Sequence, residues 1–386
     1  MTSLEIFKTA AVAVVILSIL IPWILAAVRG WQANRRRFPM YPLVELPGVS
    51  ILIPAWNERT ILGRCIGSVK GLTYTHFECI IIAGGADNTF QFAQELTAND
   101  PRFRVIPQRP GGKNKALNDG YRISTGNILV LLDADCEVEP GWLGALIAPL
   151  TYSASAACGN YHPNPITSIS IQFVMNKISS YFLRGSTTLH GGAIALRRSV
   201  IDQLGGNFPE TVWVGTDWDL NARLERLKVQ KVFVPGARHR TPYPYTWPQF
   251  IRNEIRWRRA LFFATLRTWR PDIKESISSV MVLVPYLIGA LLVILPLIIL
   301  LLFPVRPELS ATLAWGLALY LVWASGRRLS QVIEVSAYTR DWRWLKWFWV
   351  PPATLLVSLF CCVAALISLR RISPHFQGYR PRASSR

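Results

Sequence analysis

Apolar positions fall into two regimes along this chain. Residues 9–28 form an almost unbroken apolar stretch, and residues 280–303, 309–326 and 347–369 repeat the pattern near the other end. Each is close to the ~20 residues that a helix needs to cross a bilayer. The expectation is four spans, one before and three after a middle region, with Pro285, Pro296, Pro351 and Pro352 tolerated as kinks in lipid. Only Lys8 precedes the first stretch as a basic residue and "RGWQANRRRF" follows it, so it reads as a retained anchor rather than a cleaved signal.

Between these stretches the period shortens. "VSILIPAWNE" predicts a strand running into a loop, "RTILGRCIGSVKGL" a helix, "FECIIIAGG" a strand, and "DNTFQFAQELTAND" a helix. "FRVIPQRP", "GGKNKALNDGYRIS" and "GNILVLLDAD" continue as strand, loop with helix, and strand. Such alternation predicts a mostly parallel sheet whose carboxyl edge gathers one site. The run "TWPQFIRNEIRWRRALFFATLRTW" divides at ~100° per residue into an apolar stripe (Trp247, Phe250, Ile251, Ile255, Leu261, Phe262, Trp269) and an arginine face (Arg252, Arg256, Arg259, Arg267, Arg270). It predicts an interfacial helix, and residues 169–185 are a second amphipathic candidate. The organisation expected is an anchor at 1–30, a linker at 31–47, a sheet domain at 48–245, the amphipathic helix at 246–272, a membrane region at 278–371 and a basic tail at 372–386.

Charge adds orientation. With 42 Lys and Arg against 23 Asp and Glu the net charge is +19, which suits nucleic acid, anionic lipid or a phosphorylated substrate. Arg29, Arg35, Arg36 and Arg37 follow the first span, while Arg327, Arg328, Arg340, Arg343 and Lys346 precede the last. Both flanks read as cytoplasmic, which places the sheet domain on the cytoplasmic face of a cell inner membrane. No nucleic-acid partner is expected, because arginines and aromatics cluster beside spans and no nucleic-acid motif occurs. Four spans leave the tail, with Arg370, Arg371, Arg380, Arg382 and Arg386, on the outer side against the positive-inside rule. The six cysteines, at 65, 79, 136, 158, 361 and 362, lack CxxC spacing and read as free thiols.

The chemistry concentrates at "LLDADCEVEP". The apolar run 128–132 puts Asp133 and Asp135 at the carboxyl end of a buried strand and, by alternation, on one side. They are either the solvated start of a loop or ligands for a cation, since unpaired burial of charge is costly.

Six blocks, "ILIPAWNE", "GGKNKALNDGYRISTGNILVLLDAD", "PGWL", "GGAIALRRSVIDQLGG", "TDWDLNARL" and "RNEIRWRRA", resemble the membrane-bound family 2 glycosyltransferases in order and approximate spacing. That family includes processive polysaccharide synthases and ceramide glucosyltransferase-type enzymes. The resemblance covers about residues 49–261 and implies an α/β GT-A fold, a Rossmann-like mixed sheet, with transmembrane helices at both ends. It also implies inverting transfer of a sugar from a nucleotide-diphosphate sugar, UDP by family habit, to a lipid or a growing polysaccharide. A divalent Mg²⁺ or Mn²⁺ is the implied cofactor.

The resemblance makes Asp135 the metal ligand and Asp133 a contact to the nucleotide-sugar. Pro54, Ala55, Asn57 and Glu58 match the motif whose loop cups base and ribose. Where the family commonly has two acids after the second strand, this chain reads Ala83, Gly84 and Gly85, leaving Asp87 to replace part of that contact. Lys113 matches a phosphate-binding lysine at a helix start, while Lys115 reads as solvated. Asp217 matches the catalytic base, although Thr216 stands where Glu is common; a helix cap is the alternative. Asp219 reads as structural. His239 is either a metal ligand or a satisfied loop histidine. "NEIRW" resembles QxxRW with Asn253 for Gln; it implies Arg256 at the diphosphate and Trp257 at the acceptor, against the plainer role of both as interfacial anchors. The altered nucleotide motif and Thr216 also fit a non-catalytic nucleotide-sugar sensor or scaffold in the membrane.

Overall fold

The computed structural model describes residues 3–35, 38–43, 45–212, 215–268 and 273–368. Arg36, Arg37, Trp269, Arg270 and the basic tail lie outside the described residues. In chain order the elements begin with α1 (Ser3–Ala33), β1 (Val49–Trp56), α2 (Arg59–Lys70), β2 (Phe77–Gly84), α3 (Thr89–Thr97), β3 (Phe103–Pro107), α4 (Gly112–Ile123) and β4 (Ile128–Leu132). They continue with β5 (Glu137–Val138), α5 (Trp142–Ile147), β6 (Ala156–Pro163), α6 (Ile171–Lys177, followed by a π-helical turn to Leu183), β7 (Ala193–Arg197), α7 (Arg198–Gln203), α8 (Thr216–Arg226) and β8 (Lys231–Thr241). The last are α9 (Trp247–Thr268), α10 (Ile273–Leu302), α11 (Pro307–Thr339) and α12 (Val350–Ile367).

Two compact units result. The sheet unit holds residues 38–165 and 186–243, and the helical unit holds 1–37, 166–185 and 244–371. Eight strands in the order β3-β2-β1-β4-β7-β6-β8-β5 make the sheet. β3, β2, β1 and β4 run parallel, as the strand–helix alternation predicts, whereas β7 is antiparallel to both β4 and β6. The sheet is therefore mixed. All five residues of β4 are buried, and burial of each such side chain is worth about 1.5–3 kcal/mol. This central position fixes the end of β4, and with it Asp133, at the sheet's carboxyl edge.

Among the described residues the helical unit contains four helices that are, by length and composition, long and apolar enough to cross a membrane. α11 runs on to Thr339, so Arg327 and Arg328 lie inside that helix rather than in the loop the sequence suggested. α1 and α11 run parallel. Trp23 Nε1 donates to Gly326 O at 2.6 Å, Arg29 pairs with Glu334 at 3.1 Å, and Asn34 Nδ2 donates to Tyr338 O at 2.6 Å. Their carboxyl ends thus share one end of the bundle. α10 and α11 form a hairpin, with Ser310 Oγ bonded to Ile299 O at 2.8 Å. α12 starts beside the carboxyl part of α11, where Val350 packs with Val332 and Val335. It ends beside the early part of α10, where Leu366 packs with Tyr286 and Leu283. α9 is less purely interfacial than its sequence suggests, because Ile255 and Phe262 pack on that same cluster and Glu254 is buried.

Candidate active site

β1 and β2 pair with Trp56 opposite Gly84, so their carboxyl ends open at one level. There the chain doubles back through Asn57 (φ 55°) and Gly85 (φ 115°). A Cβ on Gly85 would lie 2.3 Å from Asn57 Oδ1 and 2.7 Å from its backbone nitrogen, so only glycine allows the two loops to meet. Asn57 Oδ1 then accepts from Ala86 N–H at 2.7 Å, and Asn57 N–H donates to Gly84 O at 3.0 Å.

The Asp87 carboxylate accepts from Arg59 N–H at 3.1 Å, Thr89 N–H at 3.0 Å and the Thr89 hydroxyl at 2.5 Å. Thr89 Oγ1 in turn accepts from Glu58 N–H at 2.8 Å. Asp87 therefore ties the starts of α2 and α3 together, and any contact with a nucleotide would share oxygens already engaged in that task. Ala55 and Glu58 are buried, Pro54 is partly buried, and Asn57 is exposed at the edge.

At the end of β4, Asp133 and Asp135 are both half-buried, which sets them between a solvated loop and a closed core. Lys113 Nζ meets Asp133 Oδ1 at 2.5 Å from the first turn of α4. Asp133 N–H donates to Gly192 O at 2.8 Å, and one residue back Gly191 N–H donates to Asp217 Oδ2 at 3.2 Å. This two-glycine turn brings Lys113, Asp133 and Asp217 to one edge, where Lys113, Gly191, Gly192, Thr216 and Asp217 line a common cleft. Asp217 does not cap its own helix: the cap position is Gly215, and the carboxylate reaches across to Gly191. Asp219 pairs with Arg223 across one turn of α8 at 3.2 Å, and Lys115 Nζ donates to Pro110 O at 3.3 Å.

The acids create a strong local field. Burial pushes the Cys65 thiol well up, and the negative charges of Asp135, Asp133, Glu137 and Glu58 push it further. Cys136 responds the same way, first to burial and then to Asp135 and Asp133. All six cysteines are free. His239 lies within β8, paired opposite Val138 and fully buried, rather than in the loop the sequence suggested. It stands behind the two-glycine turn, with Nε2 4.0 Å from where a Gly192 Cβ would be, and its ring stacks on His190 at 5.8 Å. Among the described residues no three or more His, Cys, Asp or Glu side chains assemble a metal cage. A hard cation that takes one or two carboxylates and completes its shell with substrate phosphates fits such an edge.

Arg256 and Trp257 are on α9 in the helical unit, with the Trp257 ring edge-on to Phe173 at 5.7 Å. Several positioning residues escaped sequence reasoning. Asn118 Nδ2 and Oδ1 bond Phe208 O at 2.9 Å and Phe208 N–H at 2.7 Å, and Asn114 Nδ2 bonds Pro209 O at 2.8 Å, pinning the segment that leads towards α8. Asn221 Oδ1 and Nδ2 clasp Leu189 N–H and O at 2.9 and 2.6 Å, holding α8 to the two-glycine turn. Their common signal is an amide on the buried face of a helix. Trp56 Nε1 and Gln108 Oε1, both beside Gly84, are buried without a hydrogen-bond partner among the described residues. Such groups are costly and are tolerated mainly at functional sites.

Residues 50–205 match the model of glycosyl transferase family 2. By sequence the chain is similar to Probable glycosyltransferase YdaM of Bacillus subtilis, 26% identical over 260 residues, covering 62% of this chain and 61% of that one. It is similar to the beta-monoglucosyldiacylglycerol synthase of Trichormus variabilis, 26% identical over 257 residues and covering 61% and 53%, respectively. The Escherichia coli chondroitin synthase is 36% identical over 117 residues, covering 30% and 17%. The chain thus spans about three fifths or less of the length of these relatives. Among solved structures it resembles mannosyltransferase PcManGT from Pyrobaculum calidifontis, in complex with GDP-Man and Mn²⁺, with a TM-score of 0.61, 16% identity, and coverage of 86% of this chain and 98% of that one. The shared architecture is the expected GT-A fold, and in this chain apolar helices stand on both sides of it in sequence.

Proposed function

We propose, for a chain whose residues 50–205 belong to glycosyl transferase family 2, that it moves a sugar from a nucleotide-diphosphate sugar to a membrane lipid or a growing polysaccharide, inverting the anomeric centre. The observation that supports it most is the convergence of Lys113, Asp133 and Asp217 on the Gly191–Gly192 turn. Two relatives are named for a glucosyldiacylglycerol and for chondroitin, which keeps both acceptor classes in the reading.

In this reading the loop through Asn57 and Glu58 supports the base and ribose beside Gly84 and Gly85, where relatives commonly have acids. Asp135, with Asp133 beside it, would hold a divalent cation, and His239 lies close behind the same turn. When bound, that cation neutralises the charge developing on the leaving diphosphate. Lys113 adds a positive charge on the phosphate side, released from Asp133 as the donor enters. Asp217 takes the proton of the acceptor hydroxyl as its oxygen bonds to the anomeric carbon, and the bond from that carbon to the phosphate oxygen breaks on the opposite face. Arg256 and Trp257 serve the diphosphate and the acceptor. The donor is taken as a UDP-sugar, the sheet domain as cytoplasmic, and the residue boundaries of the domains as expected from the sequence.

Purified full-length protein, given a nucleotide-sugar and an acceptor-containing membrane extract, tests this. Asp217→Asn should bind donor as the parent does and lose turnover by roughly 10² or more. Donor binding without metal-dependent turnover in the parent itself would reject the transferase reading and leave a sensor.

A further inference from the structure

A polar column inside the helical unit is not used by the sheet-edge site. Gln172 Nε2 on α6 donates to Asn176 Oδ1 at 2.8 Å and to Gln331 Oε1 on α11 at 2.9 Å. Gln331 Nε2 donates to Asn176 Oδ1 at 2.8 Å, and Thr354 Oγ1 on α12 donates to Gln172 Oε1 at 3.2 Å. This amide layer locks α6, α11 and α12 together.

One helical turn further along α12, Ser358 Oγ donates to Glu254 Oε1 of α9 at 2.8 Å, and Arg258 reaches the same oxygen at 2.5 Å. One turn before Gln331 on α11 stands Arg328, within electrostatic reach of Arg258, Arg184 and Glu254. The carboxylates nearby are already committed: Glu254 to Arg258, and Glu334 to Arg29 at 3.1 Å and Arg184 at 3.5 Å. Arg328 is exposed and has no ion pair among the described residues. Four guanidiniums (Arg29, Arg184, Arg258 and Arg328) against two buried carboxylates, Glu254 and Glu334, leave positive charge that a phosphate would offset.

Depth narrows the ligand. The apolar part of α11, residues 309–326, is 18 residues long, or about 27 Å at ~1.5 Å per residue. That is nearly the ~30 Å hydrocarbon thickness, so Arg328, two residues beyond, sits where lipid phosphates begin. We propose that this arginine cluster, carried by α9 and α11 beside α12, binds the phosphate of a membrane lipid through Arg328 and Arg258, with Arg184 alongside. This deepens the transferase reading and rests on it in one respect only, that the lipid so held is the acceptor.

The test uses the full chain in nanodiscs of phosphatidylcholine, with a polyprenyl monophosphate, phosphatidic acid and the unphosphorylated polyprenol as separate probes, and binding read by native mass spectrometry. The phosphorylated probes should bind, the polyprenol should not, and Arg328→Gln should weaken phosphate-lipid binding by tenfold or more. Arg328→Lys, which keeps the charge, should retain most of it and so excludes simple misfolding. Preference for the polyprenyl phosphate over phosphatidic acid identifies an acceptor site, and equal binding identifies a site for bilayer lipid; both support the phosphate assignment. Polyprenol binding as tightly as its phosphate, or Arg328→Gln binding like the parent, would overturn it. Binding of nucleotide-sugar to the parent in the same nanodiscs tests the transferase reading independently.

Discussion

Substituting Gly85 by alanine should damage both the stability of the sheet unit and the donor loop. The residue has φ 115°, and an added Cβ would lie 2.3 Å from Asn57 Oδ1, 2.7 Å from Asn57 Cγ and 2.7 Å from Asn57 N. The side-chain atoms could swing away, but the backbone nitrogen is held by Gly84 O at 3.0 Å. Keeping the backbone conformation costs about 1–3 kcal/mol for a non-glycine residue. Moving Asn57 forfeits the 2.7 Å bond to Ala86 N–H, worth about 0.5–1.5 kcal/mol. Together these give about 2–4 kcal/mol, or a fall in Tm of roughly 4–16 °C for a domain of this size. Thermal unfolding of the full chain in detergent, followed by tryptophan fluorescence, measures it, with nucleotide-sugar binding measured alongside. Gly67→Ala, in the helix α2 with nothing within 4 Å of the new Cβ, is the control and should be neutral or stabilising. A Gly85→Ala protein that melts within about 1 °C of the parent and binds donor equally would refute the reasoning.

Lys113→Met should weaken donor binding more than it lowers the Tm, because its pair with Asp133 is partly solvated and contributes little to folding; equal donor affinity would refute a phosphate role. Asn118→Ala should cost about 1–3 kcal/mol by leaving the Phe208 amide and carbonyl without partners, which chemical denaturation would read as an earlier midpoint. Burial alone would raise the Glu78 carboxyl, yet Thr125 N–H and the Ser50 and Thr125 hydroxyls hold it below the ordinary glutamate range. Its stabilising share is therefore complete above the unfolded value of about 4.3 and is lost as pH falls through the lower folded value. The stability difference between the parent and Glu78→Gln should shrink below about pH 4, and a difference that grows there would contradict the assignment. For the tail, a cysteine at Ser385 in a background without native cysteines tests topology: because both ends of α12 pack away from the α10–α11 turn, an impermeant maleimide should label it only after cells are opened. Labelling of intact cells would show instead that α12 crosses, as the four-span expectation has it.

Much of the sheet unit was legible because local periodicity and fold agree from β1 through β4, whose alternation with helices needs only neighbouring residues to read. The strands that follow β4 in the chain were harder. β6 and β8 are built from segments such as "AACGNYHP" and "KVFVPGARHRT", where glycine, proline and charge interrupt the apolar pattern, so His239 looked like a loop residue. Candidate site residues stood out where a motif concentrates charge, as at Asp133, Asp135 and Asp217. Their supports did not, since the Asn57–Gly85 contact and the Asn221 clasp join residues 28 and 32 positions apart. Glu254 and Arg258 lay unremarked within an arginine-rich helix, because only the packing of α12 shows which of its charges are buried.

The most direct test of the transferase reading is to give the purified full-length protein a panel of radiolabelled nucleotide-sugars with membrane extract, in Mn²⁺ or Mg²⁺ and in excess EDTA, beside Asp135→Asn. Label should pass from one donor class into lipid extract or insoluble polymer, only with the cation, and not with Asp135→Asn. Transfer that persists at full rate in EDTA or in Asp135→Asn would contradict the metal-linked site, and no transfer from any donor despite tight nucleotide-sugar binding would contradict the reading as a whole.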